Sequence, residues 1–152
     1  KINRLVKKIT KDKIDNIFIS APENVAWLLN LRGNDNPNSP IPNCRIILTK
    51  NRKIYFFSNT DKIKKIKKII PIKNIKYYNE NDFYNVLNLL NGSSFLIDDK
   101  SCSIYFENLI LSKFKIINKS DPCYLFKSIN EDKLFLSLPP IFFKSLSARH
   151  SS

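Results

Sequence analysis

The sequence predicts an α/β domain, a mixed β-sheet flanked by helices. Short β-type apolar runs alternate with segments of helical periodicity along most of the chain. Two neighbouring runs, 45–49 and 53–57, are separated only by Lys50-Asn51-Arg52 and read as a hairpin, which places an antiparallel pair in the sheet. The run 14–20 grows more apolar towards its end, as a strand entering a covered sheet does. A chain of 152 residues is the size of one domain and buries roughly 70% of its unfolded surface, enough for a real core.

Each element has its own signal. Ile2, Leu5, Val6 and Ile9 recur at helical spacing with Lys and Arg between them, an amphipathic helix with a solvated basic face. Residues 14–20 follow as a strand. Pro22 sits where helices begin, with Glu23 and Asn24 in the first turn. That helix stops near Asn30, because Gly33 and the later Pro cannot extend it. After the hairpin, Asn59-Thr60-Asp61 caps a helix over 62–70 whose Ile63, Ile66 and Ile70 share a face and whose five Lys read as a solvated face. Residues 72–78 are a strand. Asn81 or Asp82 caps a helix carrying Phe83, Val86, Leu87 and Leu90, closed by Asn91-Gly92. Residues 95–98 form a strand. The segment 101–111 is a helix with Ile104, Tyr105, Phe106 and Leu109 inward. Residues 115–117 are a last strand, and Asp121-Pro122 opens a final helical segment to Ile129. There are no repeats.

Composition changes at Glu131. Asn disappears and Ser, Leu, Pro and Phe take over, with Pro139-Pro140 barring a helix there. The reading is a domain over 1–130 and an atypical tail over 131–152, with the texture of a frameshifted or disordered segment; a docking segment is the functional alternative. The chain starts at Lys and contains no Met, so the reading frame is expected to begin upstream.

Charge and composition restrict function. The net charge is +13, which attracts phosphate-bearing partners. The charge is dispersed Lys, however, with Arg at only five positions, so Arg-based base readout has little to work with. The abundance of Lys, Ile, Asn, Phe and Tyr is also what an A+T-rich genome imposes. Nucleic acid is not the expected partner, and a basic nucleic-acid-binding or protein-interaction module is kept as the alternative. No apolar run approaches the ~20 residues needed to cross a bilayer, so no membrane partner is expected. The first residues are too charged for a secretory leader, and the expected location is cytoplasmic. Cys44, Cys102 and Cys123 are far apart with no CxxC pair, as in buried reduced thiols.

Catalytic constellations are missing as well. The single histidine, His150, lies in the tail, where no rigid scaffold positions it for a Ser–His–Asp or Cys–His site. No HExxH occurs, and no metal ligand set is expected. Asp98-Asp99 is the one carboxylate pair and reads as a cap between strand and helix. Two isolated Gly cannot build a phosphate-cradling loop. No catalytic residue and no cofactor are expected in this chain.

The stretch 21–42 carries the sharpest signal. It holds the only Trp, Gly33 and four of the eight Pro. Glu23-Asn24-Val25-Ala26-Trp27-Leu28-Leu29-Asn30-Leu31-Arg32-Gly33, followed by Asn34-Asp35-Asn36-Pro37-Asn38-Ser39-Pro40, resembles the "WLlNlRG-D-p-nP" signature of Xaa-Pro aminopeptidases (aminopeptidase P) of the creatinase/prolidase family. The similarity covers about residues 1–130 and lies in the family's amino-terminal (creatinase N-terminal) domain. Asp121-Pro122 and Leu125-Phe126-Lys127-Ser128-Ile129-Asn130 resemble the linker before the catalytic domain. There the family continues with Lys-Asn and a Glu, whereas this chain continues Glu131-Asp132-Lys133 and departs.

The resemblance implies a ribonuclease H-like, three-layer architecture. It also implies that the chemistry, release of the residue before a proline, belongs to a carboxy-terminal "pita-bread" domain. There Asp, Asp, His, Glu and Glu hold two divalent metals (Mn or similar) that activate a water. The 152 residues contain none of that domain, so this chain alone is expected to be non-catalytic. The amino-terminal domain would supply one wall of the substrate site and contacts in a homo-oligomer, and it would meet a peptide substrate only together with a catalytic domain, which a separately encoded chain could also provide. By motif position Arg32 would project towards substrate, its planar fork suited to a carboxylate or peptide carbonyl. Asp35 is the alternative partner for the same donors. Trp27 would line the wall or belong to the core. Arg32, Trp27 and Asp35 are the substrate-contact candidates.

Overall fold

The computed structural model describes the backbone of residues 1–31, 43–68 and 74–137, and their side chains as far as residue 129. Helix α1 is Ile2–Lys11 and buries Leu5, Val6 and Ile9, the stripe its periodicity predicts. Strand β1 is Asn16–Ile19. Helix α2 is Pro22–Leu29; Pro22 stands in its first turn, where a missing N–H costs nothing, and Asn30 ends it in the left-handed conformation that Asn tolerates. Strands β2 (Arg45–Thr49) and β3 (Ile54–Ser58) form the predicted hairpin. Helix α3 is Thr60–Lys67, capped by Asn59, whose Oδ1 accepts the Lys62 N–H at 2.8 Å. Then come β4 (Ile75–Asn79), α4 (Phe83–Leu87), β5 (Ser94–Ile97), α5 (Ile104–Leu111) and β6 (Lys115–Asn118). Helix α6 is Pro122–Ser137.

The six strands make one mixed sheet in the order β4-β3-β2-β1-β5-β6. Strand β2 pairs antiparallel with both β1 and β3, while β3–β4, β1–β5 and β5–β6 are parallel. Both faces are covered, which is why strand residues of either parity are buried. On one face Phe18, Ile47, Tyr55, Phe57, Phe95 and Ile97 pack with Phe83, Val86 and Leu87 of α4 and with Phe106 and Ile110 of α5. Phe83 is central there, its ring centroid 5.1 Å from Phe18, 5.0 Å from Phe57 and 4.8 Å from Phe106. The opposite face carries Ile17, Ile19, Ile46, Leu48, Ile54, Phe56 and Leu96, all buried. Lys67 of α3 lies over Tyr77, which packs on Phe56, so α3 belongs to this second face.

Several local expectations differ from what is observed. Residues 69–73, the end of the expected 62–70 helix and the start of the expected 72–78 strand, lie outside the described residues. Asp82, one of the two expected residues, stands at the N-cap of α4 but makes no capping bond; the side-chain cap lies one turn earlier, where Asn79 accepts the Asn81 N–H at 3.0 Å and opens a single 3-10 turn. Helix α4 ends at Leu87, so Gly92 does not close it. In α5 the inward residues are Phe106 and Ile110, with Leu109 half-buried, while Ile104 and Tyr105 are 75% and 66% exposed. Ser103 caps α5, its hydroxyl accepting the Phe106 N–H. With the helix beginning at Ile104, Ile104 and Tyr105 occupy its exposed first turn, and the inward stripe is Phe106 and Ile110, four residues apart.

The chain divides into two compact units, residues 1–121 and 122–152. The first contains the sheet and α1 to α5. The second contains α6, whose backbone continues through Glu131–Ser137, seven residues past the change in composition.

Candidate functional site

The carboxyl ends of β1, β3, β4, β5 and β6 share one edge of the sheet, and β2 begins there. Ligands of open α/β sheets bind outside that edge. The Ser58 hydroxyl donates to the Asn43 carbonyl at 3.0 Å, so the chain rejoins the sheet from the motif segment at this same edge.

Polar side chains line the edge, and their bonding is internal. Arg45, the first residue of β2, lies with Phe57 on the face covered by α4 and α5. Its Nη1 donates to Glu80 Oε1 at 2.7 Å, and its guanidinium carbon is 4.8 Å from the Phe106 ring centroid. The Ser20 and Ser101 hydroxyls are 2.7 Å apart, tying the end of β1 to the turn that follows β5. Asp98 does not cap a helix as expected. It is buried, its Oδ1 accepts the Lys100 N–H at 3.0 Å, and its Oδ2 accepts the Asp121 N–H at 2.9 Å. Asp98 therefore closes its own turn and holds the chain after β6. Asn24 of α2 donates to Asp121 Oδ2 at 2.8 Å, with both residues buried.

This chemistry holds the edge together. Burial pushes the Cys44 thiol up to about 12, with Lys62 and Arg45 opposing it weakly. Burial likewise pushes Cys102 up to about 11. Neither is a thiolate nucleophile at neutral pH. Every buried side-chain nitrogen or oxygen among the described residues has a hydrogen-bond partner. Among the described residues no group of three or more His, Cys, Asp or Glu converges as a metal site.

Of the three residues singled out from the sequence, Arg32 and Asp35 lie outside the described residues. Trp27 is half-buried on α2. Lys1 Nζ stands 4.8 Å from its ring centroid and donates to its carbonyl oxygen at 2.8 Å, so the indole packs at the domain surface with a cation on its face. Arg45 was missed, because an Arg opening an apolar strand reads as a strand flank. Its partner Glu80 is 35 residues away, and only the sheet brings the two together.

The family model for the creatinase/prolidase N-terminal domain matches residues 1–133. The chain belongs to the creatinase/prolidase N-terminal domain family. Solved structures agree on the fold of this domain. An aminopeptidase P (Xaa-Pro aminopeptidase) from Streptococcus thermophilus superposes with a TM-score of 0.65 at 11% identity, over 83% of this chain and 94% of that one. A proline dipeptidase from Streptococcus agalactiae gives 0.60 at 13% identity, over 81% and 95%. The prolidase from Pyrococcus horikoshii gives 0.60 at 18% identity over 80% of this chain; the creatinase/prolidase N-terminal domain described here spans 33% of that prolidase. No curated protein matches the sequence. Among the described residues no helix is long and apolar enough to cross a membrane.

Proposed function

We propose that this creatinase/prolidase N-terminal domain is the non-catalytic partner domain of a cytoplasmic Xaa-Pro aminopeptidase. In this reading it forms one wall of the peptide site and contributes contacts between subunits. The observation that carries the reading is the family match over residues 1–133, which includes the whole of the Trp27–Pro40 signature. The internally bonded carboxyl edge supports it: Arg45, Asp98 and Asp121 are used to hold the scaffold, which leaves recognition to the segment between α2 and β2. In this reading Arg32 gives its donors to the peptide carboxylate or carbonyl rather than to Asp35, and Trp27 backs the wall. Two divalent metals and the attacking water belong to a catalytic domain outside these residues, and no step of the reaction runs through the side chains described here.

An assay of the pure 152-residue chain on an Xaa-Pro peptide with Mn²⁺ is expected to read background. Clear turnover would overturn the non-catalytic reading. In a complex with a catalytic domain of this class, Arg32→Ala is expected to raise KM by roughly tenfold with a smaller change in kcat. An unchanged KM would remove Arg32 from the substrate wall.

A further inference from the structure

At the opposite end of the sheet, a shallow, open cleft of about 680 Å³ lies between α1 and the turn of the β2–β3 hairpin. Lys7, Thr10 and Lys11 line it from one face of α1, at the spacing that sets side chains side by side. Lys50, Asn51 and Arg52 line it from the turn. No carboxylate lines it. The two acids nearby are already engaged: Asp12 pairs with Lys8 at 3.1 Å, and Asp15 pairs with Lys50 at 2.7 Å. Lys7, Lys11 and Arg52 make no ion pair among the described residues, so three uncompensated cations line it from two elements.

Backbone conformation is a second observation. Arg52 has φ 67, and its N–H donates to the Thr49 carbonyl at 2.9 Å. The left-handed position of such a hairpin turn is usually filled by Gly, which pays no Cβ penalty there. Arg52 holds that conformation and lines the cleft.

We propose that this cleft binds a compact polyphosphate anion, chelated between Lys7 and Lys11 on one side and Arg52 on the other. The Thr10 hydroxyl and the Asn51 amide are the neutral donors. The chemistry favours a bare polyphosphate over single-stranded nucleic acid. The remaining lining residue is Val6, and no aromatic side chain offers a base a platform to stack on.

The test is calorimetric titration of the full chain with inorganic tripolyphosphate at about 50 and about 200 mM salt. Saturable one-to-one binding that weakens at the higher salt is expected. Lys7→Ala combined with Arg52→Gly should weaken it roughly tenfold or more. Arg52→Gly keeps the turn conformation, so loss of folding does not confuse the result. Lys64→Ala with Lys65→Ala on α3 removes the same charge elsewhere and should leave binding unchanged. An equal loss in that control would reduce the cleft to diffuse attraction and overturn the proposal, as would the absence of saturable heat. Tighter binding of a single-stranded oligonucleotide than of tripolyphosphate would overturn the small-anion assignment.

Discussion

A Cβ on residue 92 would lie 2.5 Å from the Cβ of Asp15 and 2.6 Å from its Cγ, so Gly92 is the residue that lets the loop before β5 close onto the start of β1. The approach has a purpose. Asp15 Oδ2 accepts the Ser93 N–H at 2.9 Å, the Ser94 N–H at 3.2 Å and the Ser94 hydroxyl at 3.1 Å, while Oδ1 takes the Lys50 ammonium at 2.7 Å. One carboxylate thereby joins three segments: the entry to β1, the hairpin turn and the entry to β5.

Gly92→Ala is therefore expected to destabilise the domain by about 2 kcal/mol or more, since φ is +95 and the obstacle is a carbon next to the backbone. Urea unfolding with an unchanged m-value checks it. A midpoint equal to that of the parent would show that the loop moves aside freely.

The same contacts set an acid dependence. The Lys50 bond and the Ser93 and Ser94 donors hold the Asp15 carboxyl well below the usual carboxylate range, with partial burial opposing them. A depressed folded-state value means that the unfolded chain binds the proton first. The stabilisation is thus complete above the unfolded value of about 3.9 and is lost as pH falls through the folded one. Asp15→Asn should be less stable than the parent at neutral pH, and the gap should close towards the acid limit. A gap independent of pH would assign the loss to shape rather than charge.

Arg45 should matter more than Glu80. Arg45→Ala removes both the ion pair and the packing on Phe106, for about 1–2 kcal/mol, whereas Glu80→Ala removes a half-exposed acid worth about 0.2–1 kcal/mol. A double-mutant cycle by chemical denaturation separates the two contributions. Equal single losses would mean that the ring contact adds nothing.

Thiol chemistry should follow folding. Cys44, Cys102 and Cys123 are free and buried, and the first two have raised pKa values. Labelling with a thiol reagent at mildly alkaline pH should be slow in the native protein and should count three thiols in urea. Rapid native labelling of Cys44 or Cys102 would contradict the burial.

The alternation of runs, the helix start at Pro22, the cap at Asn59 and the 45–57 hairpin were all legible in the sequence, because each depends on neighbours within a few residues. The family signature around Trp27 was legible for the same reason. The exposure of Ile104 and Tyr105 on α5 was not, since both are apolar and lie beside Phe106, and only the packing of Phe106 against Phe83 and Phe18 separates the buried ring from its two exposed predecessors. Nor was the true use of Gly92: Asn-Gly after a helical run looks like a helix terminator, and its actual constraint, Asp15, is 77 residues earlier. Tertiary structure alone decided that Asp98, which reads as a cap in the sequence, fastens the chain after β6, and that Arg45 meets Glu80. Local propensity acts along the chain, whereas these bonds depend on strand order, and strand order is chosen by burying both faces of the sheet at once.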